Sequence, residues 1–212
     1  MKTNFLKQIQ TPYVDSQTLL TLFHDYQKPR EKILRLVKNQ ELIRLKNGFY
    51  LITEKIEKNG FLSPPYEQIA NLLYGPSYIS LEWALSFYGL IPEKVQLVTS
   101  VCLGRNKFFA TSLKNFSYMR LTKAYYPLGV TQKKESQFLG NFFMATVEKA
   151  LIDFVYFKFK NLNEKEFAEQ LFESHRFDSY LLKEMNQAAL KEIASYYRCK
   201  KVKYLVKLVS AL

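Results

Sequence analysis

The chain has 212 residues, 48% apolar and 16% aromatic, which is enough to bury a core and excludes a disordered tail. Lys and Arg number 31 against 19 Asp and Glu, so the net charge is +12 with a pI near 9.5, and the composition favours a polyanionic partner. No apolar run is long enough to cross a bilayer and 1–11 lacks the continuous apolar stretch of a signal peptide, so a cytoplasmic protein with no membrane partner is expected.

Cys102 and Cys199 are too few and too far apart for a disulfide framework. His24 and His175 stand apart from any Cys or carboxylate cluster, so neither a metal nor another cofactor is expected. The charge is concentrated at the ends. Residues 1–58 hold 11 basic and 6 acidic side chains, and 191–212 hold 6 and 1.

Near the N-terminus, Asp15 or Ser16 can cap a helix carrying Leu19, Leu20, Leu22 and Phe23. A turn at 24–27 follows, and Pro29 can start a second helix because its missing N–H falls among the unpaired donors of a first turn. Ile33, Leu34, Leu36 and Val37 read as its apolar stripe, which leaves Arg30, Lys32, Arg35 and Lys38 on the outer arc. Asn47-Gly48 between two apolar runs predicts a two-residue type I′ hairpin turn. Its pairs would be Lys46 with Phe49, Leu45 with Tyr50, Arg44 with Leu51 and Ile43 with Ile52. Ile43, Leu45, Tyr50 and Ile52 would then share a buried face, with Arg44 and Lys46 on the other.

Strand, helix, helix and hairpin over 13–52 is the element order of a winged helix-turn-helix. In that motif the later helix enters the major groove by its N-terminal end. Gln27, Lys28, Arg30 and Lys32 are then placed for base edges, and Arg35, Lys38, Arg44 and Lys46, with Asn47 at the turn, for backbone contacts. Taken alone, a charged helix face is more often simply solvated, and winged folds also dock proteins. The hairpin and its basic residues move the reading toward double-stranded DNA.

Polar residues at 54–59 and Ser63-Pro64-Pro65 place a boundary near 55–65, giving domains 1–58 and 59–212. In the second, Ser80 can cap a helix containing Leu81, Ala84, Leu85 and Tyr88 that Gly89 ends. Strands are predicted at 95–103, 107–111, 116–121, 125–130 and 138–144. The fold class is therefore α+β, a winged helix-turn-helix followed by an α/β domain with a small, largely antiparallel sheet and C-terminal helices. Those helices begin at Thr146, at Asn163 and at Asp178 or Ser179, and 200–212 closes the chain as a basic amphipathic end. Arg198, Lys200, Lys201, Lys203 and Lys207 make a second basic cluster there, available for further DNA or partner contacts.

Catalysis is not expected. Metal-dependent phosphodiester cleavage needs clustered carboxylates, yet Glu135 is the only acid in 95–144, and Asp occurs only at 15, 25, 153 and 178, none paired. There is no Gly-rich phosphate loop followed by Lys, and no Ser or Cys nucleophile with a convincing His and acid partner.

Three segments carry a family resemblance: Lys46-Asn47-Gly48-Phe49-Tyr50-Leu51-Ile52, the run 77–92 containing Ser77-Tyr78-Ile79-Ser80-Leu81-Glu82-Trp83, and Thr146-Val147-Glu148-Lys149-Ala150-Leu151-Ile152-Asp153. The chain resembles the AbiEi antitoxin family. The resemblance implies a winged helix-turn-helix joined to a C-terminal α/β domain, repression of the protein's own operon, and action against a nucleotidyltransferase-like toxin encoded beside it. A homo-oligomer on DNA is compatible with that role. The alternatives are a protein-interaction module, a generic winged-helix regulator without a toxin and, further off, a nuclease-related protein. Read by their spacing alone, Glu148, Lys149 and Asp153 are a helix face with its ion pairs.

Overall fold

The computed structural model describes residues 5–58, 64–135, 140–160 and 162–212. After a 3-10 turn at Phe5–Gln8 come β1 (Tyr13–Asp15), α1 (Ser16–Leu22), α2 (Pro29–Lys38), β2 (Leu42–Lys46) and β3 (Phe49–Ile52). Asp15 caps α1 by accepting from the Thr18 amide at 2.7 Å, and Pro29 opens α2 as expected. The three strands pair antiparallel in the order β1-β3-β2.

Two details of this unit differ from expectation. Leu34 is 61% exposed, so it does not belong to the apolar stripe that Ile33 and Leu36 bury. At 100° per residue it falls between Arg30 and Lys38 on the outer arc. In the hairpin, Ile43 faces Leu51, Arg44 faces Tyr50 and Lys46 faces Phe49, with Leu45 bulged out of the ladder. The turn explains this. Gly48 takes φ +75° but Asn47 does not take positive φ, so the type I′ geometry is absent, and the bulge supplies the twist that an unprimed turn lacks. The positive φ favours glycine at 48, and a Cβ there would sit 2.9 Å from Ser16 Oγ, a hydroxyl that would have to turn away.

This three-stranded sheet is buried on both faces. Val14, Leu42, Tyr50 and Ile52 pack with Leu19, Phe23, Ile33 and Leu36 in a first core. Leu45 and Leu51, flanked by the half-buried Tyr13, Ile43 and Phe49, join a second, larger core. The segment 1–58 therefore shares its sheet with the rest of the chain.

The second unit begins with α3 (Thr53–Lys58), whose Ile56 lies in the larger core, and α4 (Tyr66–Leu73), which starts directly after Pro64-Pro65. Then follow β4 (Ser77–Ile79), α5 (Leu81–Phe87), β5 (Leu97–Cys102), β6 (Lys107–Ala110), β7 (Asn115–Arg120), β8 (Val130–Glu135) and β9 (Gly140–Ala145). The C-terminal helices are α6 (Val147–Lys158), α7 (Glu164–Glu169) running into a π-type turn at Gln170–Ser174, α8 (Ser179–Lys183), α9 (Gln187–Tyr196) and α10 (Lys200–Val209). Thr146, Asn163 and Asp178 cap α6, α7 and α8. The sheet order is β6-β7-β5-β4-β9-β8; three of its pairings are antiparallel, and β5 with β7 and β4 with β9 are parallel. The mixed helix-and-sheet class with C-terminal helices is as expected.

The strand expected at 125–130 is instead a loop, and the polar stretch after it forms β8. The two tyrosines of this loop turn inward: Tyr125 stacks on Tyr197 at 4.5 Å and Tyr126 packs on Tyr78 at 5.0 Å. Pro127 has no N–H for a ladder. Gly129, at φ +65°, lets the loop pass where a Cβ would meet Lys149 and Ile193 at under 3 Å. Part of the strand expected at 138–144 precedes Gly140 and lies outside the described residues.

Beneath that loop sits a buried polar cluster. Lys149 and Asp153, one helical turn apart on α6, pair at 2.9 Å with side chains 0% exposed. Asp153 Oδ2 accepts from Tyr78 Oη and Ser80 Oγ, each at 2.9 Å, and Oδ1 accepts from Tyr197 Oη. Lys149 Nζ also donates to the Tyr125 carbonyl at 2.8 Å and contacts Tyr197 Oη. With both charges paired and the remaining lone pairs and protons satisfied, the pair tolerates full burial. Ser80 consequently does not cap α5. Thr99 Oγ1 does, accepting from the Trp83 amide at 3.0 Å.

Burial, reinforced by Asp153, pushes the Tyr78 and Tyr197 phenols well up, and burial raises Tyr88 and Tyr126 to about 12. Tyr66, Tyr118 and Tyr156 are raised too, burial being the first cause for each. These groups stabilise the fold fully below the unfolded tyrosine value of 10.0, and that contribution is lost as pH climbs toward the folded values. Lys149 and Lys201, lowered by burial, act in the opposite sense, but they are two against seven. The urea midpoint is expected to fall between about pH 9 and about pH 11.5, with tyrosinate absorbance appearing as the fold is lost. A flat or rising midpoint would contradict this reading of the buried phenols.

Candidate nucleic-acid interface

The residues expected to face a duplex divide by what already holds them. Gln27, Lys28, Arg30, Arg35 and Lys38 are exposed at or along α2. Lys28 pairs with Glu31 at 2.9 Å, but both side chains are more than half exposed, so the pair is weak enough for a phosphate to compete with it. Lys32 is half-buried, its ammonium 5.6 Å from the Tyr26 ring centroid. Arg44 and Asn47 are exposed at the hairpin tip, where Arg44 Nη2 donates to Asn47 Oδ1.

Lys46 is placed differently from the outward-pointing position expected. Its ammonium donates to the Leu73 carbonyl and lies 5.7 Å from the Phe49 ring centroid. Leu73 is the last residue of α4, where helix carbonyls lack intrahelical partners and the dipole is negative, so a lysine is drawn there. The bulge at Leu45 shifts Lys46 to the side that meets the second unit.

On α2 the exposed face reads Arg30, Leu34, Lys38, Glu31 and Arg35 across its width. The apolar pattern of α2 places Leu34 with the core residues. Stepping round the helix at 100° finds it, whereas the run Ile33 to Val37 read as a block hides it. An exposed leucine between two cations offers an apolar contact on an otherwise charged face.

The C-terminal cluster divides in the same way. Lys201 Nζ donates to the Phe159 carbonyl at 2.8 Å and to the Tyr156 carbonyl at the end of α6, and burial holds it below the usual lysine range. Lys207 is paired with Glu164. Arg198, Lys200 and Lys203 remain exposed and, with Lys191, line an open groove of about 600 Å³ where α9 meets α10.

Among the described residues no helix is long and apolar enough to cross a membrane. No protein-family model matches the chain, and a search of curated proteins finds no match.

The division of the cluster can be measured without any ligand. Lys201→Met is expected to cost roughly 1–2 kcal/mol, because two carbonyls lose their donor, while Lys200→Ala and Lys203→Ala should stay within about 0.5 kcal/mol of the parent in urea unfolding. Equal effects for all three would place Lys201 at the surface with its neighbours.

Proposed function

We propose that residues 13–52 form a winged helix-turn-helix that binds double-stranded DNA, and that the protein is a cytoplasmic, AbiEi-like antitoxin and repressor of its own operon. The observation that carries this reading is the outer face of α2. Its buried side packs onto a sheet covered on both faces, and its exposed arc carries Arg30, Leu34, Arg35 and Lys38 with Glu31 as the one acid. An exposed cationic arc on the second helix of that element order, in a chain of net charge +12, suits phosphate and base-edge contact.

In this reading Gln27, Lys28, Arg30 and Leu34 approach base edges. Arg35 and Lys38 hold phosphate, Arg44 and Asn47 reach the backbone at the hairpin tip, and Lys46 fastens the wing to the second unit. Arg198, Lys200 and Lys203 offer a second electrostatic contact. The protein acts by binding and not by catalysis. By the resemblance in 46–52, 77–92 and 146–153, its partner besides DNA is a nucleotidyltransferase-like toxin, countered through the second domain, and a homo-oligomer would occupy the operator.

The test is duplex binding by electrophoretic shift, using the protein's own upstream DNA and a random duplex over a range of salt. Arg30→Ala is expected to weaken the cognate complex by about 1–3 kcal/mol while affecting the random duplex less. Arg35→Ala and Lys38→Ala should weaken both duplexes and each lower the log-log salt slope by roughly 0.9, whereas Lys46→Ala should leave the slope unchanged. If no duplex binds more tightly than micromolar at low salt, the winged unit is a protein-docking module instead.

A further inference from the structure

A cleft of about 630 Å³ opens where the sheet of the first unit meets the second unit. Tyr13 comes to it from β1, Gln68 and Asn71 from α4, Ser77 from the start of β4, Tyr126 from the loop before β8, and Phe143 from β9. Five separate elements thus converge on one space, and none of its lining residues is charged. In a chain with 31 basic residues that neutrality is a selective property. A charged guest would give up its hydration with no counter-charge to replace it.

Two buried polar atoms in its wall lack partners. Asn71 Oδ1 accepts from the Phe143 amide, which fixes the other end of the amide as the donor Nδ2, and that nitrogen has no hydrogen-bond partner. Ser77 is 5% exposed and its hydroxyl is also unpartnered, and the largely buried Gln68, 6% exposed, adds an amide to the same wall. Buried polar groups in a folded protein are nearly always satisfied, so two in one wall point to a guest that satisfies them. Around them stand three aromatic side chains, Tyr13, Tyr126 and Phe143, the last of these 51% exposed. Aromatic faces favour a flat π-system, and amide and hydroxyl groups favour an edge that alternates acceptor and donor.

We propose that this cleft binds a small, uncharged, planar heterocycle of nucleobase type, stacked on the aromatic walls and hydrogen-bonded to Gln68, Asn71 and Ser77. The site stands whether or not α2 reads DNA.

Ligand-observed saturation-transfer NMR and calorimetry on the full chain test it, with adenine and uracil as neutral planar probes and benzoate as a charged planar control. At least one neutral probe is expected to bind, and benzoate is not. Ser77→Ala, which removes an unpartnered hydroxyl, should leave the thermal midpoint unchanged or higher while weakening the probe by about tenfold. Phe143→Ala, at a half-exposed ring, should do the same to binding with the fold intact. The proposal is overturned if neither neutral probe binds the parent, if benzoate binds as well as they do, or if both folded variants bind the probes as tightly as the parent.

Discussion

The small sheet made by β1, β3 and β2 is a wall common to two cores, and most of the molecule's arrangement follows from that constraint. Alternation along β3 sends Tyr50 and Ile52 to one core and Leu51 to the other. A one-residue slip would exchange the two sets, so the register is fixed from both sides. The bulge at Leu45 answers the same constraint, since it turns Lys46 toward the second unit while Ile43 and Leu45 stay on the second core and Arg44 stays in solvent. Once Leu45 and Leu51 are committed, α1 and α2 are held at a set orientation relative to the larger unit, and Lys46 completes the junction by reaching the end of α4.

The larger unit has its own organising contact in the pair of Lys149 and Asp153. The carboxylate collects hydroxyls from β4, the residue after it and the end of α9, so one buried anion ties the centre of the sheet to the C-terminal helices. Removing one partner alone would leave the other charged and unpaired in the core, which is far costlier than replacing both. Two of the three segments that carry the family resemblance contain the members of this cluster, Tyr78 and Ser80 in one and Lys149 and Asp153 in the other. Those residues act as scaffold, and the proposed DNA contact rests on the outer face of α2 instead.

Much of the order of elements could be read directly. Asp15, Pro29, Gly48, Thr146 and Asn163 act where local backbone chemistry puts them, because capping and turn formation depend on the immediate neighbours. Local sequence does not determine the structure where distant partners decide. Ser80 has the right place for a cap, but a carboxylate 73 residues away takes its hydroxyl. The aromatic run 125–130 looks like a strand until Tyr197 and Tyr78 claim its rings. For the site, counting cations found the basic regions but not their state. Lys46, Lys201 and Lys207 are bound to carbonyls or a carboxylate elsewhere in the chain, contacts that spacing does not encode. Leu34 was legible in principle, by helical angle alone.

The central claim is that α2 is the reading surface while the hairpin sheet is already committed on both faces. Amide hydrogen exchange on the full chain, with and without the duplex upstream of its own gene, tests this most directly. The account predicts that the duplex adds protection at 26–38 and at the hairpin tip, with β1, β3 and the end of α4 already slow in the free protein and little changed. Protection that appears in the second unit while 26–38 stays unaltered would contradict it.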